Sequence, residues 1–188
     1  MTEITSGDLV TAASGGNQGA WDGLVERFGN LVWSITRAHR LSDADAADVS
    51  QTTWLRLVEN LDRIRDPERV GSWLAATARN ECLRVLRRAG RNVPVGDDAE
   101  LEAESSSSPD STLLTTERDA ALWRAFAGLG ERCRMLLRLL MADPPASYEE
   151  ISAATGSPIG SIGPTRARCL AQLKRHALVA GIASGDAV

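Results

Sequence analysis

Aromatic residues are scarce in this chain: five Trp, two Phe and one Tyr among 188 residues. β-Branched and aromatic runs are also few, while Ala and Leu are plentiful, so the composition favours helices over sheet. Cysteine is limited to Cys82, Cys133 and Cys169, far apart and odd in number. No CxxC and no Cys/His pair at metal spacing is present, so no metal site is expected. The three are expected to be small core residues of a reducing compartment. The two histidines, His39 and His176, lie near predicted helix ends and are read as surface residues. The first ten residues lack the basic and apolar regions of a signal peptide. No apolar run is long enough to span a membrane. A cytoplasmic location is therefore expected. Phosphate-binding glycine loops, dinucleotide fingerprints and Ser/His/Asp or Cys/His constellations are missing, so no enzyme, no catalytic residue and no cofactor is expected.

Charge is present but unevenly placed. The net charge of −4 argues against a generic binder of polyanions over the whole chain. Yet Arg79, Arg84, Arg87, Arg88 and Arg91 face one acid, Glu81, and Arg166, Arg168, Lys174 and Arg175 face none. Between these basic segments lie Asp97, Asp98, Glu100, Glu102, Glu104 and Asp110, among Pro94, Gly96, four serines and Pro109. That stretch has the composition of a flexible acidic linker. The expected fold is all-α: two small helical domains, residues 1–92 and 116–188, joined by a linker over 93–115.

The N-terminal part reads as three long helices. Trp21, Leu24, Val25, Phe28, Leu31, Val32 and Ile35 recur at helical spacing over 20–37. Ser42 with Asp45 starts a second helix as a capping box. Its inward stripe is Ala46, Val49, Thr53, Trp54, Leu57, Val58 and Leu61, and Trp54, like Trp73, reads as a core aromatic. Asp66-Pro67 opens the third helix, about 68–89. Leu74, Ala78, Cys82, Val85 and Ala89 form its packed side. Asn80, Arg84, Arg87 and Arg91 form a second, positive stripe. Such a stripe is either a solvated face or the seat of an anionic partner; the scarcity of acids nearby favours the partner.

The C-terminal part has helices near 117–129 and 131–141, the second ended by Asp143-Pro144-Pro145. Ser147 and Glu150 form another capping box, and Gly156 ends that short helix in the left-handed manner. A further helix follows Ser157-Pro158. A short helix, a glycine turn and a second helix make a helix-turn-helix, although plain helical hairpins share the pattern. Ile159, Ile162, Cys169, Leu170 and Leu173 are expected to be buried. Ser161, Thr165, Arg168, Gln172 and Arg175 are expected on the outer face, suited to a DNA major groove. Pro164 is tolerated only in a first turn, which places the regular helix start near Ser161.

The order of these segments, from about residue 18 to 177, resembles a bacterial sigma factor of the compact extracytoplasmic-function (ECF) type. Five stretches carry the resemblance: Asp45–Arg56, Trp73–Arg88, Leu129–Leu136, Tyr148–Ile151 and Gly160–Arg168. The resemblance implies a non-enzymatic initiation factor whose partners are core RNA polymerase and promoter DNA, with an anti-sigma factor left open. It implies polymerase docking through Asp45, Asp48, Gln51, Thr52 and Leu55. It implies minus-ten contacts from Arg63, Arg65, Asp66, Asn80, Arg84, Arg87, Arg88 and Arg91. Minus-thirty-five contacts fall to Ser161, Pro164, Thr165, Arg166, Arg168, Gln172 and Arg175. The chain departs from the family pattern at Thr52, where an acid is usual, and at Gly163-Pro164, where lysine-serine is usual. A free-standing helix-turn-helix regulator and a polymerase-binding decoy are the rival readings; the N-terminal domain argues against the first, and the second predicts docking without promoter melting.

Overall fold

A computed structural model describes residues 4–90 and 117–179. The linker expected over 93–115 lies outside the described residues, as does Arg91. Helices account for every regular element among the described residues: α1 (Ser6–Ser14), α2 (Gln18–Ala38), α3 (Asp43–Asn60), α4 (Val70–Arg88), α5 (Glu117–Ala127), α6 (Glu131–Leu140), α7 (Tyr148–Thr155) and α8 (Ile159–Val179). Two single 3₁₀ turns, Leu61–Arg63 and Pro67–Arg69, join α3 to α4.

The helix starts follow local chemistry. Thr5 and Asp8 form a reciprocal capping box on α1, a helix too short and polar for apolar periodicity to mark. Asn17 caps α2 through the Ala20 amide. The Ser42 hydroxyl accepts from the Asp45 amide at 3.1 Å, and donates to the Asp45 carboxylate at 2.7 Å. Ser147 and Glu150 complete the expected box on α7. Gly156 ends α7 at φ 71°, a left-handed conformation that glycine adopts without a Cβ clash.

α2 supplies the spine of the core with Leu24, Phe28, Leu31, Val32 and Ile35. α3 adds Ala46, Val49, Thr53 and Leu57. Trp54 is partly buried and meets Trp21 edge-on, with ring centroids 6.1 Å apart. Val58, expected to point inward, is instead 58% exposed. It sits one position past the buried Leu57, so the helix turns it to solvent.

The two halves of the chain share one hydrophobic cluster. α7 runs along α4 in the most extensive packing of any two elements, and α6 lies on α2. Small residues make this possible: Gly71, Ala75 and Ala78 of α4, and Ala154 of α7, are all buried. A β-carbon on Gly71 would fall 2.0 Å from Glu150 Oε1, and one on Gly156 would fall 2.8 Å from the Arg79 guanidinium. Asn30 of α2 donates to the Asp143 carbonyl at 3.0 Å, tying α2 to the chain beyond α6.

Two expectations about titratable groups are corrected here. His39 is a core residue, not a surface one. Burial, with the Arg79 charge second, holds its pKa down to about 4. Cys133 of α6 and Cys169 of α8 are joined by a disulfide, so only Cys82 is a free core thiol. Thirty-six residues of sequence separate the pair. No spacing rule pairs two cysteines that far apart.

Candidate nucleic-acid interface

The basic face of α4 is present. Asn80, Arg84, Arg87 and Arg88 are all exposed, while Gly71, Leu74, Ala75, Ala78 and Cys82 hold the opposite side in the core. Arg84 is not unaccompanied. The buried carboxylate of Glu81 ion-pairs with it at 3.2 Å, and with Arg56 of α3 at 2.7 Å. One acid thus answers two arginines and pins α3 to α4. Arg87 folds back so that its Nε donates to the Leu83 carbonyl at 3.1 Å. Among the described residues no carboxylate pairs with Arg87 or Arg88, so this end of α4 keeps its positive field.

The bend between α3 and α4, at the opposite end of α4, carries further exposed charges. Arg63, Arg65 and Asp66 are exposed on or beside the two 3₁₀ turns. Asp66 pairs with Arg69 at 3.3 Å, and Asp62 accepts a hydrogen bond from Ser14 of α1. The Ser14–Asp62 bond holds the bend against α1, and Arg63 and Arg65 stay exposed.

α3 carries a face of different chemistry. Asp48, Gln51 and Leu55 are exposed, and Thr52 is partly buried. Asp45 is partly buried and is occupied as a capping residue, which fixes its carboxylate at the helix start. Leu55 and Val58 extend this face as an apolar pair, 54% and 58% exposed. Val58 was not among the sequence candidates. Its exposure follows from the same register that puts Asp48, Gln51 and Leu55 outward.

α7, the Gly156 turn and α8 follow in the expected order, and the register of α8 is corrected. α8 begins at Ile159, two residues earlier than expected, and Pro164 lies inside it. Pro164 cannot donate to the Gly160 carbonyl, and its ring must fit against that residue. Gly160 has no side chain there, and its surroundings are open. Thr165, expected on the outer face, is buried with Ile162 and Cys169, positions three and four apart. Its hydroxyl accepts from Arg168 at 3.2 Å. Ile159 and Leu170, expected in the core, are 47% and 42% exposed. The exposed row is Pro164, Arg168, Ala171 and Arg175, with Arg166 beside it. Ser161 and Gln172 are partly buried, and the Ser161 hydroxyl is spent on the Pro158 carbonyl at 2.7 Å.

Residues 24–92, which span most of α2 and all of α3 and α4, match the family described as sigma-70 region 2. The chain is 29% identical over 169 residues to the ECF RNA polymerase sigma-E factor of Escherichia coli K12, covering 85% of this chain and 87% of that one. The protein of the same name from Salmonella typhimurium matches to the same extent. Among solved structures, CnrH in complex with the cytosolic domain of CnrY aligns with TM-score 0.58 and 23% identity, over 90% of this chain and 95% of that one. The sigma factor RpoE of Bartonella quintana, in complex with the anti-sigma factor NepR, aligns with TM-score 0.57 and 21% identity, over 85% and 97%. The two structures support the helical fold.

Proposed function

This chain belongs to the ECF group of the sigma-70 family and acts in transcription initiation, and from that premise we propose that it docks on core RNA polymerase and reads both promoter elements. Sigma factors are regulators rather than enzymes, so the polymerase would supply the metal and the bond-forming chemistry. The observation that carries the reading is the placement of two unlike faces within residues 24–92: an acidic and apolar face on α3, and an arginine face on α4.

On this reading Asp45, Asp48, Gln51, Thr52 and Leu55 contact the polymerase, with Val58 added to the set. Acids would steer the encounter, and the exposed Leu55 and Val58 would supply the apolar anchor. Asn80, Arg84, Arg87, Arg88 and Arg91 would hold the minus-ten DNA. Arg63, Arg65 and Asp66 would flank an unpaired base during melting, a step that costs a few kcal/mol and needs captured contacts to offset it. Pro164, Arg166, Arg168 and Arg175 would face the minus-thirty-five duplex, with Ser161 and Gln172 at its margin. Thr165 would support Arg168 from beneath.

Joint reading requires the halves to part. Duplex sites one and a half turns apart are separated by roughly 50 Å. α7 therefore has to leave α4 before both elements are held. A linker over 93–115, at ~3.3 Å per residue, reaches roughly 75 Å. Residues 1–92 and 116–188 would then act as two units whose joint binding gains from effective concentration. A cytoplasmic site of action and an anti-sigma partner belong to the same proposal; no described helix is long and apolar enough to cross a membrane.

Promoter opening tests this reading. The purified chain is added to core polymerase on a promoter template, and unpaired thymines are mapped with permanganate. Reactivity in the minus-ten region that depends on the chain supports it. Duplex binding by the chain alone, with no opening when polymerase is present, would favour a free-standing regulator.

A further inference from the structure

We propose that the Cys133–Cys169 disulfide is a reversible redox site that sets the pose of the DNA-reading helix α8. The inference rests on the sigma-factor reading for the meaning of α8, and on the structure for the bridge itself. The bridge links α6 to α8 within the helix-turn-helix half, with Cα atoms 5.3 Å apart. Disulfides of cytosolic proteins are usually transient or redox-sensing rather than structural. A bridge behind a recognition helix is placed to report the redox state of the compartment to DNA.

Its surroundings fit exchange at one sulfur. Cys169 is fully buried in the packed side of α8, whereas Cys133 is only partly buried. An external thiolate can therefore approach Cys133 and not Cys169. Arg132 and Arg134 flank Cys133 and would draw in an anionic thiol reagent. The chemistry balances with a low-molecular-weight thiol or a dithiol reductase as the reductant. Its thiolate attacks Cys133 Sγ, the S–S bond breaks, and Cys169 leaves as a thiolate that takes up a proton. A second reductant thiol then resolves the mixed disulfide. Two electrons and two protons enter the protein, and the reductant departs as a disulfide. Cys82 is no competing partner. It is buried in α4, and burial pushes its thiol up to about 12, which keeps it protonated.

Reduction would change α8 in two ways. Two thiols that are no longer bonded must move apart to van der Waals separation, on the order of 3.5–4 Å. The α6–α8 spacing at Cys169 would then open, next to Arg168 on the adjoining position. In addition, Gln172 Oε1 lies 3.4 Å from Cys133 Sγ. An S–H at that sulfur becomes a weak donor to Gln172, holding that side chain where it already lies and off a duplex. Oxidised protein is thus the form with α8 fixed for reading, and reduced protein is the looser one.

The test uses the full chain with core polymerase, prepared in oxidised and dithiothreitol-reduced forms. Alkylation by a maleimide reagent after denaturation should label one cysteine in the oxidised protein and three in the reduced protein. Initiation should fall roughly five-fold or more on reduction at a promoter that needs its upstream element. The Cys133→Ala/Cys169→Ala double variant should show no response to reductant. Three labelled cysteines after air or diamide oxidation would overturn the proposal, as would equal initiation by the two wild-type forms. No initiation by either form would count against the sigma-factor reading instead. Duplex binding by the two forms of the full chain would then decide the redox proposal, with equal affinity overturning it.

Discussion

Glu150 of α7 lies over Gly71 of α4 so closely that any side chain at position 71 would strike both its carboxylate and, at 2.7 Å, Phe28 Cε1. The carboxylate is the end of a side chain and can swing away. Phe28 is a buried ring in the spine of the core and cannot. The unyielding clash is with Phe28 of α2, so position 71 is a gauge of the α2–α4 fit, while α7 gives way through Glu150.

Gly71→Val should destabilise the α2–α4 packing by about 1–3 kcal/mol, as overpacking of a core does. A urea titration measures the loss. Glycine within a helix is itself unfavourable by about 1 kcal/mol relative to alanine. A stability gain in Gly71→Ala would therefore show that helix propensity outweighs the α2–α4 fit.

His39 gives the fold a pH dependence of known sign. Its folded pKa of about 4 lies below the ordinary value of 6.5. Between those values the unfolded chain binds a proton that the folded chain refuses. The stabilisation is complete above about pH 6.5 and declines as pH falls toward 4. The total loss over that window is on the order of 3 kcal/mol. Urea midpoints measured from pH 7 to pH 4 should drop, and His39→Leu should flatten that part of the curve. An unchanged slope in the variant would assign the effect elsewhere.

Glu81 joins α3 to α4 through Arg56 and Arg84. Glu81→Ala removes the acid shared by two arginines whose side chains are 37% and 48% exposed. Because solvent screens both partners, the expected cost is about 1–3 kcal/mol, below that of a fully buried pair. Chemical denaturation checks it, and Glu81→Gln should lose less because it keeps hydrogen-bonding capacity.

Much of this was legible in the sequence. The Ser147/Glu150 box, the Gly156 stop and the alternation of small and charged residues along α4 all act within a few positions, where spacing decides the outcome. The exposure of Val58 and the burial of Thr165 differ from expectation by a single step around a helix, an error that apolar counting cannot resolve. The burial of His39 and the Cys133–Cys169 bridge depend on elements far apart in the chain, so no local pattern marks them. α1 was missed because a short segment rich in small polar residues reads as coil, although Thr5 and Asp8 do spell a capping box.

The arginines separate into two groups with different readouts. Arg87→Ala and Arg88→Ala should impair promoter opening and leave polymerase binding intact. Arg168→Ala and Arg175→Ala should weaken duplex binding and lower the salt dependence by about one counterion each. Thr165→Val should change stability more than affinity, because its side chain is buried. Loss of polymerase binding in Arg87→Ala would show that the α3 and α4 faces have been assigned the wrong way round.

The most direct measurement is transcription start mapping with sigma-free core polymerase, the purified chain and a fragmented genomic template. The account predicts discrete new starts that share two upstream elements, and that vanish when Leu55→Glu removes the apolar anchor on α3. An unchanged start pattern on adding the chain, together with failure to bind core polymerase, would contradict it.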